Sequence, residues 1–309
     1  MPNTKPDLFF DSSGVCDACR SAEDKNKIDW ESREKELRKI FDTYRNKNGS
    51  NYDCIIPVSG GKDSHYQTYI AKVVYKMKPL LVSFEPTLPT DLGVKNLSNI
   101  RNFGVDLIQF QKNPLVYKEL GKKTFYRVGD HDWPNHVGIF TVPVQIAVKF
   151  KIPLIIWGEN SQVEYGGPKK SKNAKILNRR WLEEFGGLLG NRVDDMIDQN
   201  IKKEDLLPYI YPEARELADA GILGIFLGYF LKWDARSQTK LMQKHGFSVL
   251  EDGSTEGTYT NYENLDCGLV AVHDYLKYVK YGFCRACDHA CLDIRNGRIS
   301  RAEGVELIK

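Results

Sequence analysis

Six consecutive residues have the types and spacing of a phosphate-binding turn: Ser59, Gly60, Gly61, Lys62, Asp63 and Ser64. Paired glycines allow positive φ and a close approach of the backbone, and the first N–H groups of a following helix are free to donate to phosphate oxygens. The turn has neither the spacing of a Walker A loop nor that of a dinucleotide-binding turn. The alternative is an ordinary glycine turn leading into an Asp-Ser helix start.

Four of the seven cysteines form two C-x-x-C pairs, Cys16 with Cys19 and Cys284 with Cys287. This spacing is typical of a tetrahedral four-thiolate zinc site, which would join the two end regions of the chain. A redox pair is the alternative, although neither pair adjoins the glycine turn in sequence. Cys291 is an additional potential ligand, and Cys54 and Cys267 are predicted to be buried apolar residues.

Short apolar runs alternate with amphipathic segments on both sides of the glycine turn. The apolar runs predict strands at 54–58, 80–84, 106–110 and 153–157, and the segments of helical periodicity predict helices at 28–45, 64–77, 91–103, 114–126, 137–150 and 267–281. A further apolar run at 222–229 fits a strand or a buried helix. Alternation of this kind predicts an α/β fold with a doubly wound, mostly parallel sheet.

Three regions are expected along the chain. Residues 1–50 hold the first cysteine pair and a docking helix, 51–230 form the sheet domain with an insertion at about 160–212, and 231–309 form a helical, cysteine-containing region packed on the core. The insertion is rich in basic residues, which could bind a substrate phosphate or a partner, or form a solvated face: Lys169, Lys170, Lys172, Lys175, Arg179 and Arg180.

Bulk charge argues against a strongly anionic partner. The net charge is +3, from 44 basic and 41 acidic residues, so no large single-sign field is present and neither nucleic acid nor a membrane surface is expected to bind. No basic and apolar leader begins the chain, and no apolar run approaches the roughly 18 residues of a membrane span. A cytoplasmic protein is expected.

Residues that follow the predicted strands are candidates for ligand contacts, because ligands of such folds bind at the carboxyl ends of parallel strands. Val82, Ser83 and Phe84 end the second strand. The later strand ends at Trp157 and continues into Gly158, Glu159 and Asn160. A carboxylate at position 159 would face bound phosphates.

The S-G-G-x-D-S text resembles the PP-loop of the ATP pyrophosphatase superfamily, which has a HUP-like fold of the adenine nucleotide alpha hydrolase type. The resemblance implies that residues 51–230 are a PP-loop domain and that ATP is bound by a set of loop and strand-end residues: Ser59, Gly60, Gly61, Asp63, Ser64, Val82, Ser83, Phe84 and Gly158. Asp63 would also hold Mg²⁺. Lys62, Asp63 and Glu159 are the candidate catalytic residues, although Lys62 stands at the variable position of the motif.

Longer stretches resemble the N-acetyl sugar amidotransferases of surface-polysaccharide and nonulosonic-acid biosynthesis, of the WbpG and PseA kind. They occur throughout the chain, at 14–20, 28–34, 136–140, 158–167, 256–259, 261–264 and 280–283. The resemblance implies that ATP and ammonia convert the acetamido group of a sugar into an acetamidino group. The acceptor would be a sugar nucleotide or a nonulosonic acid, such as the precursor of a pseudaminic or legionaminic acid derivative, for lipopolysaccharide or flagellin glycans.

Ammonia requires a source. The first cysteine is Cys16 and no glutaminase segment is recognisable, so a separate glutamine amidotransferase subunit is expected, as the resemblance also implies. Two other functions remain open: a tRNA-thiolating PP-loop enzyme, which the near-neutral charge disfavours, and a nucleotide-binding scaffold without turnover. The candidate residues for binding the acceptor sugar are His136, Asn160, Glu164, Tyr165, Tyr259, Tyr262 and Glu263.

Overall fold

The computed structural model describes residues 1–46, 49, 52–165, 175–177 and 188–309. The basic residues Lys169, Lys170, Lys172, Arg179 and Arg180 of the predicted insertion lie outside this part of the chain. Lys175 lies within it, and its Nζ is 2.7 Å from Oε1 of Glu36. Any ligand-binding role of the basic insertion therefore stays a prediction.

In the described residues, six strands form one sheet in the order β3-β2-β1-β4-β6-β5. All neighbours pair in parallel except β5 and β6, which are antiparallel. The predicted doubly wound, mostly parallel α/β sheet is confirmed. The strands are β1 (Cys54–Pro57), β2 (Pro79–Phe84), β3 (Asp106–Phe110), β4 (Leu154–Trp157), β5 (Ile176–Leu177) and β6 (Leu223–Phe226).

Helices cover both faces of the sheet and continue beyond it to the end of the chain. The α-helices of the described residues are α1 (Asp17–Lys25), α2 (Trp30–Tyr44), α3 (Lys62–Thr68), α4 (Asp91–Asn99), α5 (Pro114–Val128), α6 (Trp133–Phe150), α7 (Ser161–Glu164), α8 (Ala214–Asp219), α9 (Leu227–Phe230), α10 (Ala235–Gln243), α11 (Val270–Tyr281), α12 (Arg285–Arg295) and α13 (Arg301–Leu307). A π-helix (Tyr69–Val74) extends α3, and 3-10 helices cover Ile100–Phe103, Val193–Met196 and Lys203–Tyr209.

Alternate residues of the central strands enter two separate apolar layers. Ile55 and Ile155 face one layer together with residues of α6, whereas Cys54 and Ile56 face the other, where Leu37 of α2 packs. Because side chains alternate along a strand, a sheet covered on both faces needs apolar residues at every position. This explains the continuous apolar runs of the sequence.

Several boundaries differ from the sequence prediction for local reasons. The helix predicted from Ser64 begins at Lys62, directly after Gly61. The run 222–229 combines both alternatives, since β6 is followed at once by α9. The predicted helix 91–103 tightens into a 3-10 turn and ends, as expected, at a left-handed Gly104 with φ 72°. Helix α12, which begins beside Cys284, was not predicted.

Within the described residues, no helix combines the length and the apolar character that crossing a lipid bilayer requires.

Candidate active site

The glycine turn leaves the carboxyl end of β1 in the centre of the sheet and leads directly into α3. Gly60 has φ 94°, and a Cβ added there would lie 2.9 Å from the backbone N of Leu97. The N–H of Ser59 donates to Oγ of Ser64 at 3.0 Å, and the N–H of Gly61 faces Oγ of Ser59 at 3.3 Å. Only glycine fits position 60, and the turn lies at the edge of the sheet where ligands of such folds bind.

Lys62 is the buried cation of this turn, with its side chain 6 % exposed. Its Nζ lies 2.7 Å from Oδ2 of Asp63 and 2.8 Å from Oε1 of Glu263. Burial opposes the charge of Lys62, but the carboxylates of Asp63, Glu263 and Glu159 outweigh it and raise the pKa of the lysine. The structure therefore joins the loop to Glu263, which was predicted as an acceptor residue.

Asp63 has the features of a Mg²⁺ ligand. Its Oδ1 is buried and makes no hydrogen bond within the described part of the chain, while its side chain as a whole is 35 % exposed. Burial and the charge of Glu263 raise the pKa of Asp63 above its ordinary value, despite the opposing charge of Lys62. Carboxylate oxygens are the protein ligands that Mg²⁺ prefers, so an oxygen without a partner beside other carboxylates fits this ion.

Glu159 lies near Asp63, and Asp266 lies near Glu263. We refer to these four residues as the acidic group. Burial, followed by the charge of Asp63, raises the pKa of Glu159 to about 8. Burial also raises the pKa of Asp266, although a hydrogen bond with the side chain of Ser59 opposes the shift. Burial is the main cause of both shifts, and the charges of neighbouring carboxylates add to it; a bound cation would relieve that repulsion.

The end of β2 is buried against α6. Ser83 is 0 % exposed, and its Oγ has no hydrogen-bond partner in the described residues. Phe84 stacks on Phe110 with ring centroids 5.7 Å apart and lies against Gly138. The backbone oxygen of Val82 accepts from the N–H of Val58 at 2.9 Å. The adenine contacts of Val82, Ser83 and Phe84 therefore stay predictions.

Gly158 and Asn160 lie beyond β4. A Cβ at Gly158 would lie 2.7 Å from Nε2 of Gln67, so this glycine allows α3 to pack against the end of β4. Asn160 is buried, and its carbonyl oxygen accepts from the N–H groups of Val163 and Glu164 in α7. Both residues thus shape the backbone beside Glu159.

A cavity of about 640 Å³ lies between α1, α2 and the end of β4. Asn160 and Glu164 line it, together with the aromatic side chains of Trp30 and Tyr229. Glu164 forms an ion pair with Lys25 of α1. Tyr165 lies near the acidic group. Burial is the main cause that raises the pKa of its hydroxyl, and the charges of Glu159 and Glu263 add to the shift. The cavity therefore borders the site without including the glycine turn itself.

Tyr259 and Tyr262, two of the predicted acceptor residues, contact other residues of the C-terminal region. The hydroxyl of Tyr259 donates to Oδ2 of Asp293 at 2.7 Å, and Tyr262 packs against the apolar cluster of Met242 and interacts with Arg236. These contacts tie the C-terminal region together. They do not show whether either tyrosine contacts an acceptor, so that role stays a prediction.

His136, the remaining acceptor candidate, belongs to a second polar cluster. Its Nε2 lies 4.0 Å from Oδ2 of Asp132, and its ring centroid is 5.0 Å from that of His273. Nδ1 of His273 lies 3.1 Å from Oδ1 of Asp130. Burial lowers the pKa of His136 despite the nearby charge of Asp132.

The predicted zinc ligands remain in separate pairs. The sulfur atoms of Cys16 and Cys19 are 3.4 Å apart and those of Cys284 and Cys287 are 4.0 Å apart, but no three of the four lie within 4.8 Å of one another. As placed, they do not form a four-thiolate ligand set. The zinc site therefore stays a prediction. Cys54 and Cys267 are buried, as expected.

The C-terminal part of the chain supplies several of these groups, and its sequence is informative. Residues 256–309 match the model of the C-terminal domain of WbpG-like LPS biosynthesis proteins. We refer to them as the WbpG-like segment. It contributes Glu263 to the ammonium of Lys62, Asp266 to the glycine turn and His273 to the second polar cluster.

Two further proteins are each similar to a part of this chain. An uncharacterized protein of Methanocaldococcus jannaschii is 28 % identical over 106 residues, which cover 34 % of this chain and 38 % of that protein. The chain thus spans less than half the length of this relative. NMN synthetase from Francisella tularensis matches 74 % of this chain and 100 % of its own with 12 % identity and a TM-score of 0.33, a similarity too low to support an inference.

Asp266 of the acidic group, and Asp130 and His273 of the second polar cluster, were not predicted as site residues from the sequence. Asp266 follows Glu263 by three positions in the WbpG-like segment, so a carboxylate pair was visible there. Asp130 precedes the predicted helix 137–150 without any periodic signal, and His273 lies on a helix predicted only for packing. Their contacts join positions more than a hundred residues apart, which no local pattern reveals.

Proposed function

We propose that the protein is an ATP-dependent ligase that transfers AMP to the acetamido oxygen of an N-acetylated sugar and then replaces that oxygen with nitrogen from ammonia. The observation that carries the proposal is the glycine turn at the end of β1, with Lys62, Asp63, Glu159 and Glu263 gathered around it. The match of residues 256–309 to WbpG-like LPS biosynthesis proteins supports a role in surface-glycan synthesis.

In this proposal the turn binds the triphosphate. The N–H groups at the start of α3 would donate to the β- and γ-phosphates, as helix starts do for anions. Asp63 would hold Mg²⁺, which when bound would neutralise phosphate charge. Lys62 would keep Asp63 and Glu263 in position through its two contacts.

Activation by AMP solves the chemical problem of the acceptor. An amide carbon is a poor electrophile because its oxygen is a poor leaving group. The amide oxygen attacks the α-phosphorus, the bond from that phosphorus to the β-bridging oxygen breaks, and pyrophosphate leaves. Ammonia then adds to the activated carbon, the C–O bond breaks, AMP departs, and the nitrogen gives up a proton. Positioning and charge stabilisation provide most of such catalysis.

We further propose where the other components bind. The cavity between α1, α2 and β4 has aromatic walls at Trp30 and Tyr229 and polar side chains such as Asn160, a combination suited to a sugar. Ammonia would come from a glutamine-hydrolysing partner subunit, since no catalytic segment for glutamine hydrolysis is recognisable in the sequence.

The test is an incubation of the protein with Mg²⁺, ATP, ammonium and a panel of acetamido sugars, including nonulosonic acids and sugar nucleotides. We expect pyrophosphate and AMP in equal amounts, with one acceptor gaining NH in place of oxygen by mass spectrometry. Omission of ammonium should stop formation of the amidine. Release of pyrophosphate with tRNA but with no sugar would contradict the proposal, and so would the absence of release with every acceptor.

A further inference from the structure

The second polar cluster brings together three residues from distant parts of the sequence. Asp130 lies between α5 and α6, His136 is in the first turn of α6, and His273 is on α11 of the WbpG-like segment. One potential ligand atom from each lies within 4.8 Å of the other two. Within the described residues, no other three His, Cys, Asp or Glu side chains meet this condition.

We propose that Asp130, His136 and His273 bind a divalent transition-metal ion, with zinc as the favoured ion. Two imidazoles and one carboxylate are a ligand set of zinc and of non-haem iron sites. Bonds of about 2.0 to 2.2 Å place the ligand atoms of a tetrahedral zinc ion about 3.3 Å apart. Nδ1 of His273 and Oδ1 of Asp130 are already 3.1 Å apart, and the ligand atom of His136 lies within 4.8 Å of both.

The surroundings orient the carboxylate ligand. The side chain of Asp130 is 4 % exposed, and its Oδ1 accepts from the N–H of Asp132 at 2.9 Å. Asp132 is itself held by the hydroxyl of Thr87 at 2.9 Å and by Nδ2 of Asn135 at 3.1 Å. Carboxylates of this kind beside a ligating histidine fix its ring orientation in many metal sites, and Oδ2 of Asp132 is 4.0 Å from Nε2 of His136.

One neighbouring cation needs to be accounted for. The guanidinium of Arg285 acts on His136 and would repel a metal ion if its charge were uncompensated. It is paired with Asp274, whose Oδ1 lies 3.1 Å from Nη2 of Arg285. The charged groups that act on His136 are thus Asp132, Asp130 and Arg285; since Asp274 balances Arg285, the two remaining carboxylates favour a divalent cation.

The site is open on one side. The side chains of His136 and His273 are 30 % and 20 % exposed, and three protein ligands leave a coordination position free, as in zinc sites that bind water or substrate. The charge of Asp132 raises the pKa of Asp266, which contacts Ser59, so the cluster lies at the same edge of the sheet as the glycine turn. The metal proposal does not depend on the proposed reaction.

The test is metal binding by the whole protein, without any activity assay. After removal of bound metals with a chelator, the protein is titrated with Zn²⁺ against a chromophoric chelator, and with Co²⁺ as a spectroscopic probe. We expect one ion per chain, with Co²⁺ giving visible ligand-field bands and no thiolate charge-transfer band. The double variant His136→Ala/His273→Ala should weaken binding at least about 100-fold.

Two control variants assign the ion. His245→Ala removes an exposed histidine outside the cluster and should leave affinity unchanged. Cys16→Ser/Cys19→Ser should likewise retain the Co²⁺ bands. A thiolate charge-transfer band in the wild-type protein, with bands lost in the cysteine variant, would place the metal at the cysteines and overturn the proposal. An unchanged affinity of the double histidine variant would overturn it too. The wild-type spectrum decides the matter even if a variant fails to fold.

Discussion

The ammonium of Lys62 is buried between Asp63 and Glu263, so its charge is balanced within the protein. A lysine paired in this way holds two carboxylates in place more than it attracts phosphate by itself. The burial of three charged groups in contact is costly unless the geometry is good. Such an arrangement is typical of a functional site, where stability is given up for a defined placement of charge.

Asp63→Asn removes a charge without changing the shape of the side chain. We expect pyrophosphate release to fall by about 100-fold or more, in line with the loss of a group that stabilises developing charge, while the fold is retained. Steady-state release of pyrophosphate and thermal denaturation measure the two effects. Asp91→Asn, at the exposed start of α4, is the matched control and should retain wild-type activity. Full activity of Asp63→Asn would remove the assigned role.

The pKa of Glu159, raised by burial to about 8, predicts how stability depends on pH. The native carboxyl keeps its proton to a higher pH than the unfolded one, so its contribution to stability is present below the ordinary carboxyl pKa and is lost as the pH rises toward 8. Relative to Glu159→Gln, the wild-type protein should therefore lose on the order of 1 to 4 kcal/mol between about pH 5 and 8.

Urea denaturation of the wild-type protein and Glu159→Gln across this pH range provides the measurement. The two curves of unfolding free energy against pH should diverge as the pH rises. Parallel curves would show that Glu159 ionises at its ordinary pKa in the folded protein. The carboxylates around Lys62 would then be more accessible to water than the contacts indicate.

At the scale of elements, the β1–α3 connection is the most constrained part of the site. Gly60 has a backbone conformation that other residues rarely adopt, and α4 packs directly on it. The glycine turn is therefore fixed from two sides: by β1 in the sheet, and by α4, which lies against it. This explains why a strand, a turn and a helix of so few residues can present N–H groups in a defined direction.

Gly60→Ala should destabilise the protein by about 2 kcal/mol or more, because an unfavourable φ is combined with a Cβ 2.9 Å from the backbone N of Leu97. Gly253→Ala separates the two causes: Gly253 has φ 77° but nothing within 4 Å of an added Cβ, and it should lose only about 1 kcal/mol. Urea denaturation compares them. Equal losses would show that the contact with α4 is unimportant.

Strands were predictable from the sequence because each central strand is apolar on both faces. The runs around Ile55, Leu81 and Ile156 were therefore visible without knowledge of their partners. Boundaries of helices were less predictable, since the start of α3 depends on the turn geometry and α12 begins at a cysteine whose side chain does not cap it. Local patterns report burial well and tertiary contacts poorly.

The candidate site likewise contains residues that could be predicted from the sequence and contacts that could not. The glycine turn could be found because its residues are consecutive, and Glu159 because a carboxylate follows a strand. The sequence also suggested Glu263, but only as an acceptor residue, and its contact with Lys62 is a tertiary fact. Asp130 and His273 could not be paired from sequence alone, because the path between them crosses β4, β6 and several helices.

At the scale of the whole molecule, buried ion pairs join the C-terminal helices to the rest of the chain. Asp293 of α12, whose side chain is 4 % exposed, lies 2.6 Å from Nη2 of Arg236 in α10 and 2.9 Å from Nη1 of Arg298. Arg298 also pairs with Asp234. This network connects residues on either side of the boundary at which the WbpG-like segment begins.

Asp293→Asn should destabilise the protein by about 1 to 3 kcal/mol, because it removes the buried carboxylate that Arg236 and Arg298 share; the remaining pair of Arg298 with Asp234 and the partial exposure of Arg236 limit the loss. Chemical denaturation measures it. Glu23→Gln breaks an exposed pair with Arg20 and should change stability by less than about 1 kcal/mol. A loss as small in Asp293→Asn would show that the network contributes little.

The strand order has a consequence for how the protein is made. Strands β1 to β3 precede the others in the sequence and lie side by side, and β4 and β6 then add in turn to the other side of β1, so each of the parallel strands after β1 meets a neighbour already in place. Glu263 emerges about 200 residues after Lys62, a delay of tens of seconds at about 5 to 20 residues per second. The nascent chain thus carries the glycine turn long before Glu263 and Asp266, and the charges around Lys62 are completed only when the WbpG-like segment has emerged.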